Sequence, residues 1–168
     1  MLLTMCPFLG NRINGSGSAD AATSVKYAWP TSCHKITGYW GKESGHKQKY
    51  HYGIDIGASR GAKVKAAEAG KVIFSGRYDG YGNCVIIQHS NGQCTLYGHL
   101  QKTSVKKKAK VSKGQKIGSV GGTGWGGYEV YPAHLHFGIY KSKKDIDKEY
   151  KCPAASKITI DPRSVLKK

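Results

Sequence analysis

Cys84-Val85-Ile86-Ile87-Gln88-His89-Ser90-Asn91-Gly92-Gln93-Cys94-Thr95-Leu96-Tyr97-Gly98-His99 is the stretch that decides the architecture. Two apolar, largely β-forming runs flank an Asn-Gly pair, the favoured centre of a two-residue hairpin turn. With Asn91 and Gly92 as the loop, Ser90 pairs with Gln93 and Gln88 with Thr95. The same register sets Cys84 opposite His99 and His89 opposite Cys94. Outward from this hairpin, short runs of strand composition recur between glycine turns. They are His51–Ile56, Lys63–Ala66, Lys71–Ser75, Lys116–Val120 and His134–Tyr140, with Ile158-Thr159-Ile160 as a last strand before Asp161-Pro162. That pattern predicts an all-β fold, an antiparallel sheet or sandwich-like domain with long loops. Lys106–Lys110 reads as a solvated loop or edge strand, where lysine blocks edge-to-edge pairing. Lys141–Lys151 reads as a short helix or an insertion. Ser119–Tyr131 carries five glycines with Trp125, Tyr128 and Tyr131, and reads as a long mobile loop forming a wall for an extended ligand.

The composition narrows the class. Twenty-three glycines in 168 residues argue against a helical bundle, because each helix-interior glycine costs about 1 kcal/mol. A hydrophobic content of 39% excludes a disordered basic tail. No run reaches the roughly 18 apolar residues that a membrane helix needs. Residues 1–26, with Asn14-Gly15-Ser16-Gly17-Ser18, read as a flexible leader or linker, and 27–168 as one domain, expected to be a monomer. The opening MLLTMCPFLG lacks a basic stretch and a small-residue cleavage site, so it does not read as a complete signal peptide. In Leu3-Thr4-Met5-Cys6 the bulky Met5 argues against a lipoprotein box. Twenty-seven Lys and Arg against ten acids give a formal charge of +17, which draws the chain toward polyanions. No nucleic-acid-binding motif accompanies that charge, so specific nucleic-acid recognition is not expected.

Four of the seven histidines stand in chemically suggestive settings. In a strand, His134 and His136 share one face while Leu135, Phe137 and Ile139 share the other. Two such histidines can share one metal environment, or one can bind while its neighbour acts on bound water. His51, Gly53 and Asp55 likewise share a face, opposite an apolar Tyr52, Ile54 and Ile56, and Gly53 leaves room for an ion. A structural His–Asp hydrogen bond is the plain alternative. Alternation sets His99 with Tyr97 and Thr95, away from Leu96 and Leu100. His34, His46 and His89 read as surface or structural. Two histidines and one aspartate leave a fourth position open, the pattern of a catalytic zinc site. His99 and His134 then remain for proton transfer and oxyanion stabilisation. The five cysteines contain no Cys-x-x-Cys pair, which disfavours a structural zinc ribbon. The hairpin register puts Cys84 and Cys94 too far out of line to bridge. Cys33 with Cys152 is the expected disulfide pair.

Four motifs in order carry a resemblance: His51-Tyr52-Gly53-Ile54-Asp55-Ile56-Gly57, Gly80-Tyr81-Gly82-Asn83, Thr95-Leu96-Tyr97-Gly98-His99-Leu100 and His134-Leu135-His136-Phe137. Over roughly Trp29 to Leu166 the chain resembles the lysostaphin-type zinc endopeptidases. The resemblance implies an antiparallel β-sheet core with a metal-bearing groove. It implies zinc ligands His51, Asp55 and His136, with His99 and His134 as the catalytic pair. It also implies hydrolysis of peptide bonds in bacterial peptidoglycan, outside the cytoplasm, with anionic wall polymers as further partners. Some members of that family lack ligands and activate other wall hydrolases. Here all five positions are filled, which favours an active enzyme. The loop between Gly122 and His134 is longer than the common pattern, which bears on cleavage specificity.

Overall fold

The computed structural model describes residues 26–41, 50–127, 129–149 and 154–167. Cys6, His46, Tyr128, Cys152 and most of the expected leader lie outside the described residues. The strands are β1 (Ile36–Gly38), β2 (Ile54–Gly57), β3 (Lys63–Lys65), β4 (Gly70–Tyr78), β5 (Gly82–Gln88), β6 (Cys94–Thr103), β7 (Lys110–Val111), β8 (Lys116–Val120), β9 (His134–Tyr140) and β10 (Thr159–Ile160). Every ladder between them is antiparallel. The sheet runs β1-β2-β9-β6-β5-β4-β7, with β10 beside β9 and the β3–β8 pair joined through β6. Helix is confined, among the described residues, to α1 (Lys143–Ile146), α2 (Ala155–Ile158) and short 3₁₀ turns.

Alternation along the central strands feeds two apolar clusters. Val85, Ile87 and Tyr97 join Ile54, Ile56, Val64, Leu135, Phe137 and Ile139 in the larger one. Cys84, Ile86, Cys94 and Leu96 join Tyr52, Tyr81, Tyr140 and Ile158 in the smaller one. Each aliphatic chain taken fully out of water contributes roughly 1.5–3 kcal/mol, so this two-sided burial on β5 and β6 fixes the middle of the sheet.

Four expectations from the sequence need correction. The hairpin pairs Gln88 with Cys94 and Ile87 with Thr95, one residue away from the expected register. The loop is three residues long, Ser90 to Gly92, closed by the His89 amide donating to the Gln93 carbonyl at 2.9 Å. Gly92 takes φ +83° there. Asn-Gly thus serves a three-residue loop, in which the glycine occupies the left-handed position. Second, His51–Ile56 is not one strand. His51 sits in an isolated bridge to Gly41, and β2 begins only at Ile54. Tyr52 consequently joins the smaller cluster rather than sharing the face of Ile54 and Ile56. Third, Ile158 closes α2 rather than opening the last strand. Fourth, Cys33, Cys84 and Cys94 are free thiols, so Cys33 does not form the bridge expected with Cys152. Burial drives the Cys84 thiol well above its ordinary pKa, which makes it an inert packing residue.

Candidate metal centre

β2 and β9 run antiparallel with Asp55 directly opposite His136 and Gly57 opposite His134. β6 flanks β9 on its other side, with Gly98 opposite His136. His99 follows Gly98, but not on the face that alternation assigns. Its backbone is left-handed, with φ +58°. The ladder to β5 shifts register over the same stretch. The kink breaks the alternation, so Leu100 packs with Tyr97 in the larger cluster. His99 instead lies beside His134, ring centroids 4.6 Å apart, and 6.0 Å from His136.

Three ligand-type atoms converge. His51 Nε2 is 3.0 Å from His136 Nδ1 and 3.2 Å from Asp55 Oδ1, and His136 Nδ1 is 3.1 Å from the same oxygen. Two imidazoles and a carboxylate are a good donor set for zinc, with bonds of about 2.0–2.2 Å. Tetrahedral bonds of that length separate donors by roughly 3.3–3.6 Å, close to the spacing observed, so the residues fit the ion. These are the described residues grouped tightly enough to hold a metal.

Backbone carbonyls set the rings. His51 Nδ1 donates to the Tyr39 carbonyl at 2.9 Å, so neutral His51 presents the lone pair of Nε2 to the cluster. His99 Nδ1 donates to the Thr123 carbonyl at 2.8 Å, and His134 Nδ1 to the Pro132 carbonyl at 2.8 Å. Thr123 is itself fixed. Its hydroxyl donates to the Leu100 carbonyl and accepts from the Asn83 amide, both at 2.9 Å. The glycine-rich segment that reads as mobile is therefore tied down at several points. Bridges join Gly121 to His134 and Gly124 to Gly127, and Arg77 donates to the Gly124 carbonyl at 2.7 Å. Trp125 stays 67% exposed at its tip, while the Tyr131 ring lies 5.0 Å from His99.

Electrostatics keep the groups in useful protonation states. Burial raises the Asp55 pKa, but hydrogen bonds from His136 and His51 and their charges outweigh it, so the carboxyl falls well below the usual range. Desolvation pushes His99 down to about 3, reinforced by His136 and His134. Desolvation likewise pushes His136 down to about 4, against the pull of Asp55. At neutral pH these two rings are uncharged and Asp55 is an anion.

The sequence pattern missed several contributors. Tyr39, Thr123 and Pro132 act through main-chain oxygens. Tyr81 packs its ring 4.9 Å from His136 and 6.2 Å from His99. Its hydroxyl lies 2.9 and 3.0 Å from the two carboxyl oxygens of Glu149. Glu149 is only 3% exposed, and desolvation pushes its pKa up to about 8. Among the remaining histidines, His89 bridges the Ala69 carbonyl and the Thr95 hydroxyl, and His34 stacks on Trp29, both structural.

The family model for peptidase family M23 matches residues 49–148, a span holding all five of these histidine and aspartate positions. The chain belongs to peptidase family M23. It is similar to the outer membrane antigenic lipoprotein B of Haemophilus influenzae, 37% identical over 136 residues, covering 80% of this chain and 31% of that protein. The murein hydrolase activator NlpD of Salmonella dublin is 34% identical over 132 residues, covering 77% and 32%. The chain thus spans about a third of the length of these relatives. Among solved structures, the catalytic domain of the antimicrobial peptidase lysostaphin from Staphylococcus simulans superposes with a TM-score of 0.59 at 31% identity. That match covers 76% of this chain and 86% of the lysostaphin domain. The M23 fold and the antiparallel sheet read from the sequence therefore agree.

Proposed function

We propose that this M23 chain is a zinc-dependent endopeptidase that cleaves peptide crosslinks or stem peptides of bacterial peptidoglycan outside the cytoplasm. The observation that carries the reading is the convergence of His51 Nε2, His136 Nδ1 and Asp55 Oδ1 within 3.2 Å of one another, with two further imidazoles beside them. Those three atoms would hold the zinc, leaving a coordination position outside the protein. Zinc bound there supplies Lewis acidity, acidifying a water and polarising the scissile carbonyl.

The remaining steps fall to the chain's own groups. His99 and His134 each tie Nδ1–H to a carbonyl, so each neutral ring keeps the lone pair of Nε2 available. One of the two takes the proton of the attacking water. The other donates a hydrogen bond to the developing oxyanion, or passes a proton to the leaving amine. His134 Nε2 lies 3.9 Å from Asp55 Oδ1. The Tyr131 ring, 5.0 Å from His99, and the exposed Trp125 bear on which peptide enters. The charge of +17 draws the enzyme to anionic wall polymers in a salt-sensitive way.

The test is mass spectrometry of fragments released from chemically defined walls, with and without a chelator. New peptide amines that appear with zinc and vanish with chelator support the enzyme. Similarity to NlpD supports a second reading, a non-hydrolytic activator of other wall hydrolases. Zinc-loaded protein that releases nothing alone but speeds a second hydrolase would establish it.

A further inference from the structure

Two chain segments, 63–71 and 110–119, run antiparallel to form both the β3–β8 ladder and the β4–β7 ladder. They set lysine against lysine twice. Lys65 is directly opposite Lys116, and Lys71 directly opposite Lys110. Lys63 and Lys102 approach Ser119 from its two sides. All six lysines are exposed, and none forms an ion pair with a described residue. Like charges directly opposite one another weaken a ladder, so folding alone does not account for them. From Arg60 to Lys116 the sequence holds twelve Lys or Arg and two acids. One of those acids, Glu68, is already paired with Lys113. Lys106-Lys107-Lys108, next to β7 in the chain, adds three more exposed cations.

We propose that this lysine face docks the protein on a bilayer surface displaying anionic phosphate headgroups. Ten of the twelve cations are lysines, point charges without the planar fork that reads phosphate or bases bidentately. The exposed large apolar residues, Tyr39, Trp125, Val130 and Tyr131, all lie outside residues 60–116. The face therefore lacks the stacking groups of a single-strand nucleic-acid groove. It also lacks the apolar anchors of a protein interface, where lysine is depleted. A headgroup layer requires neither, because each lysine near it contributes about 1 kcal/mol additively. In strand order β4 and β7, which carry Lys71 and Lys110, lie at the edge of the sheet away from β1 and β2.

The test is co-sedimentation of the full chain with vesicles of phosphatidylcholine containing about one third phosphatidylglycerol, against pure phosphatidylcholine, at low and high salt. Wild-type protein should pellet only with anionic vesicles and release as salt rises. The double variant Lys65→Glu/Lys71→Glu should bind at least about tenfold more weakly. Its new acids face Lys116 and Lys110, so it should melt no lower than wild type, which separates lost docking from lost folding. Glutamate also guards a sheet edge as lysine does, so the variant should stay monodisperse. Lys143→Glu/Lys144→Glu, an equal change of net charge on α1, should bind within about twofold of wild type. Equal losses in both variants, no pelleting at low salt, or tighter binding to a short DNA duplex than to the vesicles would each overturn the proposal. None of these readouts depends on hydrolysis.

Discussion

At the scale of single residues, the proposed site divides into groups that would hold the metal and groups that would handle protons, and the division is measurable. His51→Ala or Asp55→Ala removes one of three mutually close donors. Both variants should lose bound zinc, read by elemental analysis, together with wall hydrolysis. His134→Ala should keep its zinc and lose turnover by about 10²-fold or more; near-normal hydrolysis would remove His134 from the mechanism. Gly53 permits the close approach of β9. A Cβ there would stand 2.4 Å from the Phe137 carbonyl oxygen and 2.7 Å from His136 Nε2. Gly53→Ala should therefore destabilise the fold by about 1–3 kcal/mol in urea. It should also weaken zinc in a chelator competition, because the displaced ring is a proposed ligand.

Among elements, the hairpin and its neighbours decide where the chemistry points. Thr123 ties the glycine-rich segment to β5 and β6 and offers its carbonyl to His99. Thr123→Val leaves the Asn83 amide without its acceptor. The expected cost is about 1–3 kcal/mol of stability and a fall in turnover with zinc content unchanged. A variant as active as wild type would show that the anchor does not set the His99 ring. Much at this scale was legible in the sequence. Val85 and Ile87 alternate with Ile86 and Gln88, and His134-Leu135-His136 alternates polar and apolar, so strands and their faces followed from periodicity. The hairpin register did not, because Asn-Gly serves loops of two or three residues and composition does not choose between them. Nor did the face of His99, since alternation presumes an extended backbone and this residue is left-handed. The carbonyl anchors on Tyr39, Thr123 and Pro132 left no trace, because every residue carries a carbonyl. Glu149 reads as one more surface charge in a basic stretch; only the fold brings Tyr81, 68 residues away, to its carboxyl.

For the whole molecule, buried titratable groups set the pH range of stability of the metal-free protein. His99 and His136 have folded pKa values near 3 and 4, below their usual 6.5. The unfolded chain takes up those protons first, so stability should fall as pH drops from about 6.5 toward 3. Glu149 acts in the opposite direction. Its folded pKa of about 8 exceeds the ordinary 4.5, so the unfolded chain loses that proton first and stability should fall as pH rises from about 4.5 to 8. Glu149→Gln should flatten the alkaline limb in chelator-treated melts, by an amount on the order of a few kcal/mol at pH 8. An unchanged limb would show that another group causes it. Restoring zinc should raise the melting temperature by mass action, and more so as its concentration rises.

The left-handed twist at His99 also makes a tool available. Asparagine tolerates that backbone better than most side chains, whereas β-branched residues resist it. His99→Asn should thus delete the imidazole while sparing the pleat around it. A silent decoy of this kind, still gripping uncut material, would let captured targets be fished out intact and identified.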